Sequence, residues 1–256
     1  MRLLMPVLLV ALLVAACGFA AVDRDVLYQA STLDALLYGV FDRAISAGEL
    51  AQHGDTGIGC FEAVDGEMMM VDGRMYQIKA DGTVHRARPR MGLPFACVSY
   101  FDCDARTELQ GMDLTGLLAK VDTMLPTRNI YYLFRVEGEF EYVKTRSVPR
   151  QHKPYPKLVD VAAKQPTFEF ENTKGTLVGL YCPYFAAGAN MPGYHFHFLN
   201  DARTGGGHLL NCRLKKGTLQ IDYTPRYLMS LPEGAYWEAK LDKADKEGAE
   251  KVEKDK

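Results

Sequence analysis

The sequence predicts an α+β fold in which two mixed β-sheet units pack together with a few helices. Short runs of strand-forming residues alternate with glycine turns over residues 58–79. Within them, the Asp72-Gly73 pair between two apolar runs is a strong hairpin signal. Apolar residues at helical spacing stand out mainly in segments 31–46 and 114–124. Most of the regular structure is therefore expected in strands.

The first predicted helix covers residues 31–46. Apolar side chains recur there every three to four positions behind Ser31-Thr32, which is a good N-cap signal. The helix is expected to end near Gly48. Residues 95–101 follow as an apolar strand.

A further hairpin is predicted from residues 130–136 and 140–143, with its turn at residues 137–139. A linker follows, because prolines cluster at Pro149, Pro154 and Pro156. We therefore expect an N-terminal β-rich unit over 17–150 and a C-terminal β-rich unit over 151–256.

The most informative motif lies in the second unit. Residues 194–198 alternate aromatic and imidazole side chains, the period-two pattern of a strand, so His195 and His197 project from one face. The turn-forming residues 200–207 can reverse the chain and return His208 beside them on a neighbouring strand.

Three neutral imidazoles that converge from a β-hairpin can bind zinc and leave a position for substrate, as in catalytic zinc sites. The sequence therefore predicts a zinc site at His195, His197 and His208. The alternative is three histidines on a solvated strand face that stack or hydrogen-bond without a metal.

The first residues have the pattern of a bacterial lipoprotein signal. Arg2 precedes an apolar run over residues 3–16, too short to count as a spanning helix, and small residues stand just before Cys17. We expect removal of residues 1–16, lipidation of Cys17, export and a lipid anchor in the cell envelope. The alternatives are an ordinary secretory signal or an uncleaved anchor.

Composition limits the remaining possibilities. An apolar content of 48% suffices for a sizeable core, and a net charge of −2 gives no basic footprint for nucleic acid. Apart from Cys17 the chain has an odd number of cysteines and no Cys-x-x-Cys spacing, so neither a disulfide framework nor a thiolate zinc site is indicated. Cys97 and Cys103 could pair in an oxidising compartment.

The C-terminal residues 238–256 are rich in acids and lysines, a composition typical of a solvated tail. A thin apolar stripe runs through this segment and is enough for one docked helix. Its members are Leu241, Ala244, Gly248 and Val252.

Several motifs in one order resemble the α-acetolactate decarboxylase family over roughly residues 31–240. They occupy residues 32–42, 48–50, 53–59, 65–68, 94–96, 144–150 and 193–198. The resemblance implies decarboxylation of (S)-2-acetolactate to (R)-acetoin and CO₂ in acetoin and butanediol biosynthesis, with Zn²⁺ as cofactor. We also expect a homodimer whose only membrane contact is the lipid anchor.

The same resemblance assigns roles to individual residues. The family's metal ligands correspond to His195, His197 and His208. A functional glutamate in its Asp-Gly-Glu segment corresponds to Glu67, and an arginine in its Thr-Arg-x-Val-Pro segment corresponds to Arg146.

One position departs from the family pattern, and another can be aligned with it in two ways. Cys60 stands where the family usually has a threonine near the site, which replaces a hydroxyl by a weak donor. A family glutamate near the C-terminus that reaches the metal region corresponds best to Glu253, with Glu250 as the fallback.

Two other classes of function fit a three-histidine site on β-structure. An exported zinc metallohydrolase would use an activated water as the nucleophile and a nearby carboxylate as the base. A non-enzymatic zinc-binding lipoprotein would bind zinc for delivery, although such proteins usually carry mobile histidine-rich tracts. Release of CO₂ and acetoin, ester or amide hydrolysis, or metal exchange without turnover would separate the three.

The predicted anchor is tested by Cys17→Ser. Each buried methylene of a lipid chain contributes about 0.8 kcal/mol, and two chains suffice for stable anchoring. The variant should leave the membrane fraction or stay unprocessed, while the catalytic domain stays intact. Fractionation and mass spectrometry of the N-terminus provide the measurement. Unmodified wild-type protein in the cytoplasm with residues 1–16 attached would contradict the expectation.

Overall fold

The structure is a computed structural model that describes residues 23–241 and 246–253. Of the second range, the side chains of residues 246, 247, 250 and 253 are not described. Cys17 and Ala244 lie outside the described residues, so the expected anchor stays a prediction. Within the described ranges, no helix is both long and apolar enough to cross a bilayer.

The first sheet has seven strands and mixed pairing. The outermost pair, β14 with β1, is parallel, and the other neighbours are antiparallel. In spatial order its strands are β14 (Arg226–Ser230), β1 (Val26–Ala30), β8 (Phe95–Ser99), β3 (Thr56–Cys60), β4 (Glu67–Val71), β5 (Arg74–Ile78) and β6 (Val84–Arg86). The predicted turn at Asp72-Gly73 joins β4 to β5, which confirms that hairpin.

The second sheet is antiparallel and closes on itself, because its first strand pairs with both the second and the fourth. Its strands are β10 (Tyr131–Arg146), β11 (Thr167–Cys182), β12 (Gly193–Asn200), β13 (Gly206–Thr224) and β9 (Ala105–Asp113). A small separate ladder joins β2 (Ile45–Ser46) to β7 (Gly92–Leu93).

Helices are short and lie between or after these strands. They are α1 (Leu33–Leu37), α2 (Ala47–Leu50), α3 (Leu114–Asp122), α4 (Leu158–Ala162), α5 (Ala235–Glu238) and α6 (Lys246–Glu253). The helix predicted over 114–124 is confirmed as α3, whose N-cap Asp113 accepts a hydrogen bond from the Gly116 amide.

The helix predicted over 31–46 is wrong beyond Leu37. Thr32 caps its start as expected, but Gly39 has φ +87°, and a Cβ there would lie 2.7 Å from the Pro156 carbonyl oxygen. The helix ends because Gly39 has a left-handed backbone conformation and lies in close contact with the backbone of residues 155–156. The apolar residues beyond it still contribute to the core, as the buried Phe41 shows.

The hairpin predicted around residues 137–139 is also wrong, because β10 continues through it as one strand. Gly138 lies opposite Gly175 on β11 and Gly217 on β13. A Cβ on Gly138 would lie 2.4 Å from the Lys216 carbonyl oxygen. The glycine therefore marks a close approach between strands, a second role for glycine in strand sequences.

The α+β class is confirmed, and the two sheets pack through a shared apolar core. Ile58 and Met69 of the first sheet belong to the same buried cluster as Leu133 and Val178 of the second. Strands from both sides of residue 150 contribute to the sheets: β9 and β10 join the second sheet, and β14 joins the first. The sheets are therefore not divided at the proline cluster.

The charged tail carries a docked helix, as predicted; Gly248 and Val252 of the predicted stripe lie on it, whereas Leu241 precedes it. Helix α6 contacts α1 and α4, and its Ala249 and Val252 are buried. These two apolar side chains lie on one face of α6 and attach the charged segment to the apolar core.

Candidate active site

The three predicted ligands meet at the junction of β12 and β13. His197 lies directly opposite His208 in the strand register, and His195 lies two residues earlier on the same face as His197. The His195 Nε2 atom is 3.2 Å from His197 Nε2 and 2.9 Å from His208 Nδ1. Three imidazole nitrogens therefore converge on one point.

Glycines before His208 allow this approach. Gly207 has φ +138°, and a Cβ on it would lie 2.3 Å from the Arg146 carbonyl oxygen. A Cβ on Gly206 would lie 2.2 Å from the Phe198 carbonyl oxygen. Only residues without a Cβ let β13 run this close to β10 and β12, which sets His208 beside Arg146 in the register.

The first sheet orients one of the ligands. The His197 Nδ1 atom lies 2.8 Å from the Met68 carbonyl oxygen, to which an Nδ1–H group donates. That hydrogen bond leaves Nε2 without its proton and facing the other two histidines. Metal-bound histidines usually have such a partner, because it fixes both the tautomer and the direction of the ring.

Burial keeps these imidazoles in the metal-binding form. It lowers the pKa of His195 to about 3, with a further contribution from the Arg146 cation. Burial also holds the pKa of His197 well below its usual value, again assisted by neighbouring positive charge. Both rings are therefore neutral near pH 7, as a metal ligand must be.

The donor set fits a zinc ion. Two nitrogens bound to one tetrahedral zinc at about 2.0–2.1 Å lie roughly 3.3 Å apart. The separations of 2.9 and 3.2 Å in the triad are close to that value. Among the described residues, this triad is the group of histidine, cysteine or carboxylate side chains whose geometry could hold a metal ion.

The triad opens onto a cavity of about 570 Å³, counting the space at its mouth. All six predicted site residues whose side chains are described line this cavity. They are Cys60, Glu67, Arg146, His195, His197 and His208. The remaining wall is mostly apolar and includes Leu33, Leu36, Leu158, Met191 and Val252.

Glu67 begins β4 directly after Gly66, which has φ +89°. It is 7% exposed, and its Oε2 atom is 3.6 Å from His197 Nε2. The carboxyl group therefore lies beside the His197 nitrogen that faces the other two histidines.

Arg146 ends β10 opposite His208 and is only 3% exposed. Its Nη1 donates to Gln165 Oε1 at 2.6 Å, whereas its buried Nε–H has no hydrogen-bond partner among the described residues. A buried donor without a partner costs about 1–3 kcal/mol or more when charged. An anionic ligand in the cavity would supply the missing acceptor.

Cys60 lies directly opposite Glu67 in the β3–β4 register. Burial raises the pKa of its thiol well above the usual value, and the Glu67 charge adds to that effect. Cys60 is therefore a neutral thiol on the cavity wall and not a thiolate ligand. The described cysteines are all free, Cys97 and Cys103 included.

The position of Glu253 is settled only for its backbone, at the last residue of α6. Its side chain and that of Glu250 lie outside the described set, so either assignment stays a prediction. Their neighbour Val252 does line the cavity.

Two contributors to the site were not predicted from the sequence. The Met68 carbonyl supports His197, and the 2%-exposed Asn190 lines the cavity. A backbone carbonyl leaves no mark in a sequence. A lone asparagine between alanine and methionine, two residues after a glycine, looks like a turn residue.

Comparison with known proteins agrees with this architecture. The profile of the family described as Alpha-acetolactate decarboxylase matches residues 27–243. The α-acetolactate decarboxylase of Methanosarcina mazei is 46% identical over 232 residues, which cover 90% of this chain and 81% of the relative. That of Methylococcus capsulatus is 42% identical and covers 90% of this chain and 89% of the relative.

Solved structures show the same similarity. The crystal structure of alpha-acetolactate decarboxylase from Bacillus subtilis strain 168 superposes with a TM-score of 0.88 at 35% identity, covering 90% of this chain and 100% of that one. A Staphylococcus aureus protein described as similar to alpha-acetolactate decarboxylase gives a TM-score of 0.84 at 27% identity, covering 89% of this chain and 98% of that one. The chain therefore belongs to the alpha-acetolactate decarboxylase family and is an enzyme of the carboxy-lyase class.

Proposed function

We propose that the enzyme depends on zinc and converts (S)-2-acetolactate to (R)-acetoin and CO₂ in acetoin and butanediol biosynthesis. The observation that carries this proposal is the convergence on one cavity of three imidazole nitrogens, the Glu67 carboxyl group and the Arg146 Nε–H, which has no partner among the described residues. Each of these groups matches a separate need of the reaction.

Acetolactate carries a carboxylate, a hydroxyl and a ketone on neighbouring carbons. When the bond to the carboxyl carbon breaks, its electron pair remains on the substrate as an enediolate. His195, His197 and His208 would hold the zinc, which supplies Lewis-acid stabilisation of that charge when bound.

Arg146 has the properties needed to hold the substrate carboxylate. Its guanidinium is cationic and buried, and among the described residues it is only partly hydrogen-bonded. A planar two-donor grip fixes the direction of a carboxylate as well as its position. Such a grip can hold the breaking bond in one orientation relative to the neighbouring oxygens.

Glu67 is placed to move the proton that completes the reaction. The enediolate needs one proton on carbon to become acetoin, and the Glu67 carboxyl lies 3.6 Å from the metal-facing nitrogen of His197. Delivery of that proton from one side of the planar intermediate gives a single product configuration. General acid–base assistance of this kind contributes on the order of 10²–10⁴-fold.

No observation favours the metallohydrolase or the metal-delivery protein. A buried cation on the wall suits an anionic substrate, and the histidines lie on two paired strands instead of a mobile tract. We also propose the lipid anchor at Cys17 and a homodimeric assembly, for which the sequence expectations above are the support.

Replacement of a ligand tests the metal. His197→Ala should reduce bound zinc from about one per chain to a small fraction and abolish turnover, because it removes both a ligand and the hydrogen bond to Met68. Elemental analysis after dialysis and an acetoin assay give the two readouts. His85→Ala changes an exposed histidine and serves as the control. Full zinc occupancy in His197→Ala would refute the assignment.

Replacement of the acid tests the proton transfer. Glu67→Gln should fold and retain zinc, yet lose about 10²–10⁴-fold in kcat, since a carboxamide cannot exchange the proton. The exposed Glu171→Gln is the matched control. A rate for Glu67→Gln near that of wild type would leave Glu67 as a structural residue of β4.

A change that conserves charge tests the carboxylate grip. Arg146→Lys should lower kcat/KM by roughly 10- to 100-fold, because charged hydrogen bonds contribute about 1.5–3 kcal/mol and one ammonium cannot replace the planar pair. Arg150→Lys, in the same sequence motif but largely exposed, provides the comparison. Equal kinetics in the two variants would remove Arg146 from substrate binding.

A further inference from the structure

A buried network of hydrogen bonds joins the first sheet to the segment that precedes β12, the strand that carries His195 and His197. This segment, residues 183–192, connects β11 to β12. The Asn190 Nδ2 atom donates to Gln29 Oε1 at 2.7 Å and to Cys97 Sγ at 3.1 Å. Gln29 Nε2 in turn donates to the carbonyls of Ser31 and Ala189 at 2.8 and 2.7 Å.

The members of this network are shielded from water. Gln29, Cys97 and Asn190 are 0%, 1% and 2% exposed. The remaining polar atom of the asparagine, Oδ1, accepts from the Met191 amide at 2.7 Å. Each polar atom of the Asn190 carboxamide thus has a protein partner, although Asn190 lines the cavity.

A second set of hydrogen bonds joins the same segment to the start of α1. The amides of Leu33 and Asp34, at the start of α1, donate to the carbonyls of Ala189 and Gly188 at 2.8 and 3.1 Å. Leu33 is itself a cavity residue. The start of α1, the end of the 183–192 segment and strands β1 and β8 therefore hold one another in place.

The chain beyond this network leads directly to the metal position. Met191 lines the cavity, Gly193 turns the backbone with φ +100°, and His195 follows two residues later. His195 is the least buried of the three ligands. It is also the nearest of the three histidines along the chain to Asn190, five residues beyond it.

We infer that Asn190 is a positioning residue of the decarboxylase: its carboxamide fixes Met191 and the start of β12, and through them the cavity wall and His195. It contacts no substrate by this inference, because its donors and acceptor are occupied within the protein. The apolar surroundings make the network costly to break, since each lost partner leaves a buried polar group unsatisfied.

The test compares Asn190→Leu with Thr224→Val. Leucine has a similar size but leaves the Met191 amide without its acceptor and Gln29 Oε1 with the Cys97 thiol as its remaining donor. Thr224 is fully buried and donates to the Tyr131 carbonyl at 3.2 Å, yet it does not line the cavity. Thr224→Val therefore removes a buried hydrogen bond with no expected effect on the site.

Three measurements are made on both full-length variants: thermal unfolding, kcat and KM with acetolactate, and the visible spectrum after replacement of the metal by Co²⁺. We expect both variants to lose stability, but only Asn190→Leu to lose about 10- to 100-fold in kcat/KM, since small misplacements of reacting groups are costly. We also expect only its cobalt spectrum to shift. If Asn190→Leu does not fold, Asn190→Ser is measured in its place.

Kinetics and a cobalt spectrum for the Asn190 variant that match those of Thr224→Val would overturn the inference and leave Asn190 a structural residue. The cobalt readout rests on the proposed zinc site, whereas the kinetic readout rests only on decarboxylation. If the wild-type chain binds neither zinc nor cobalt, the proposed cofactor fails, and the comparison of kcat/KM still decides the role of Asn190.

Discussion

The hydrogen bond between His197 and the Met68 carbonyl joins the two sheets at the centre of the site. One strand of the first sheet, β4, supplies both this carbonyl and the neighbouring Glu67. The tautomer of a ligand and the position of the acid beside it are therefore set by the same stretch of backbone. A displacement of β4 relative to β12 would disturb both at once. The apolar core shared by the sheets is what resists such a displacement.

Burial gives the cavity a consistent charge pattern. It keeps His195 and His197 neutral and Cys60 a thiol, and the buried Arg146 guanidinium supplies a cation beside them. A cationic group in a poorly solvated pocket attracts an anionic substrate more strongly than the same group would in water. It also lowers the affinity of the nearby imidazoles for protons, which leaves their nitrogens available to a metal.

The sequence alone predicted those site residues whose positions follow from local periodicity and turn signals. Strand alternation placed His195 and His197 on one face, and the glycine-rich turn returned His208 beside them. Glu67 and Arg146 required the family resemblance, since a hairpin glutamate and an arginine after a strand look like surface residues in isolation. The errors in α1 and β10 share one cause: Gly39 and Gly138 act through contacts with distant backbone, which local sequence does not reveal. The Asn190 network escaped prediction because its partners lie 93 and 161 residues away along the chain.

The apolar wall of the cavity is assembled from segments that are remote in sequence. Leu33 comes from α1, Leu158 from α4, Met191 from the segment before β12 and Val252 from α6. None of these short helices has much stability alone, because isolated helices below about 12–15 residues are marginal in water. Their apolar faces are satisfied only when all of them pack over the cavity. The wall of the cavity is therefore complete only when these helices are docked. The same packing explains why an acidic and lysine-rich tail nevertheless carries a helix docked by buried alanine and valine side chains.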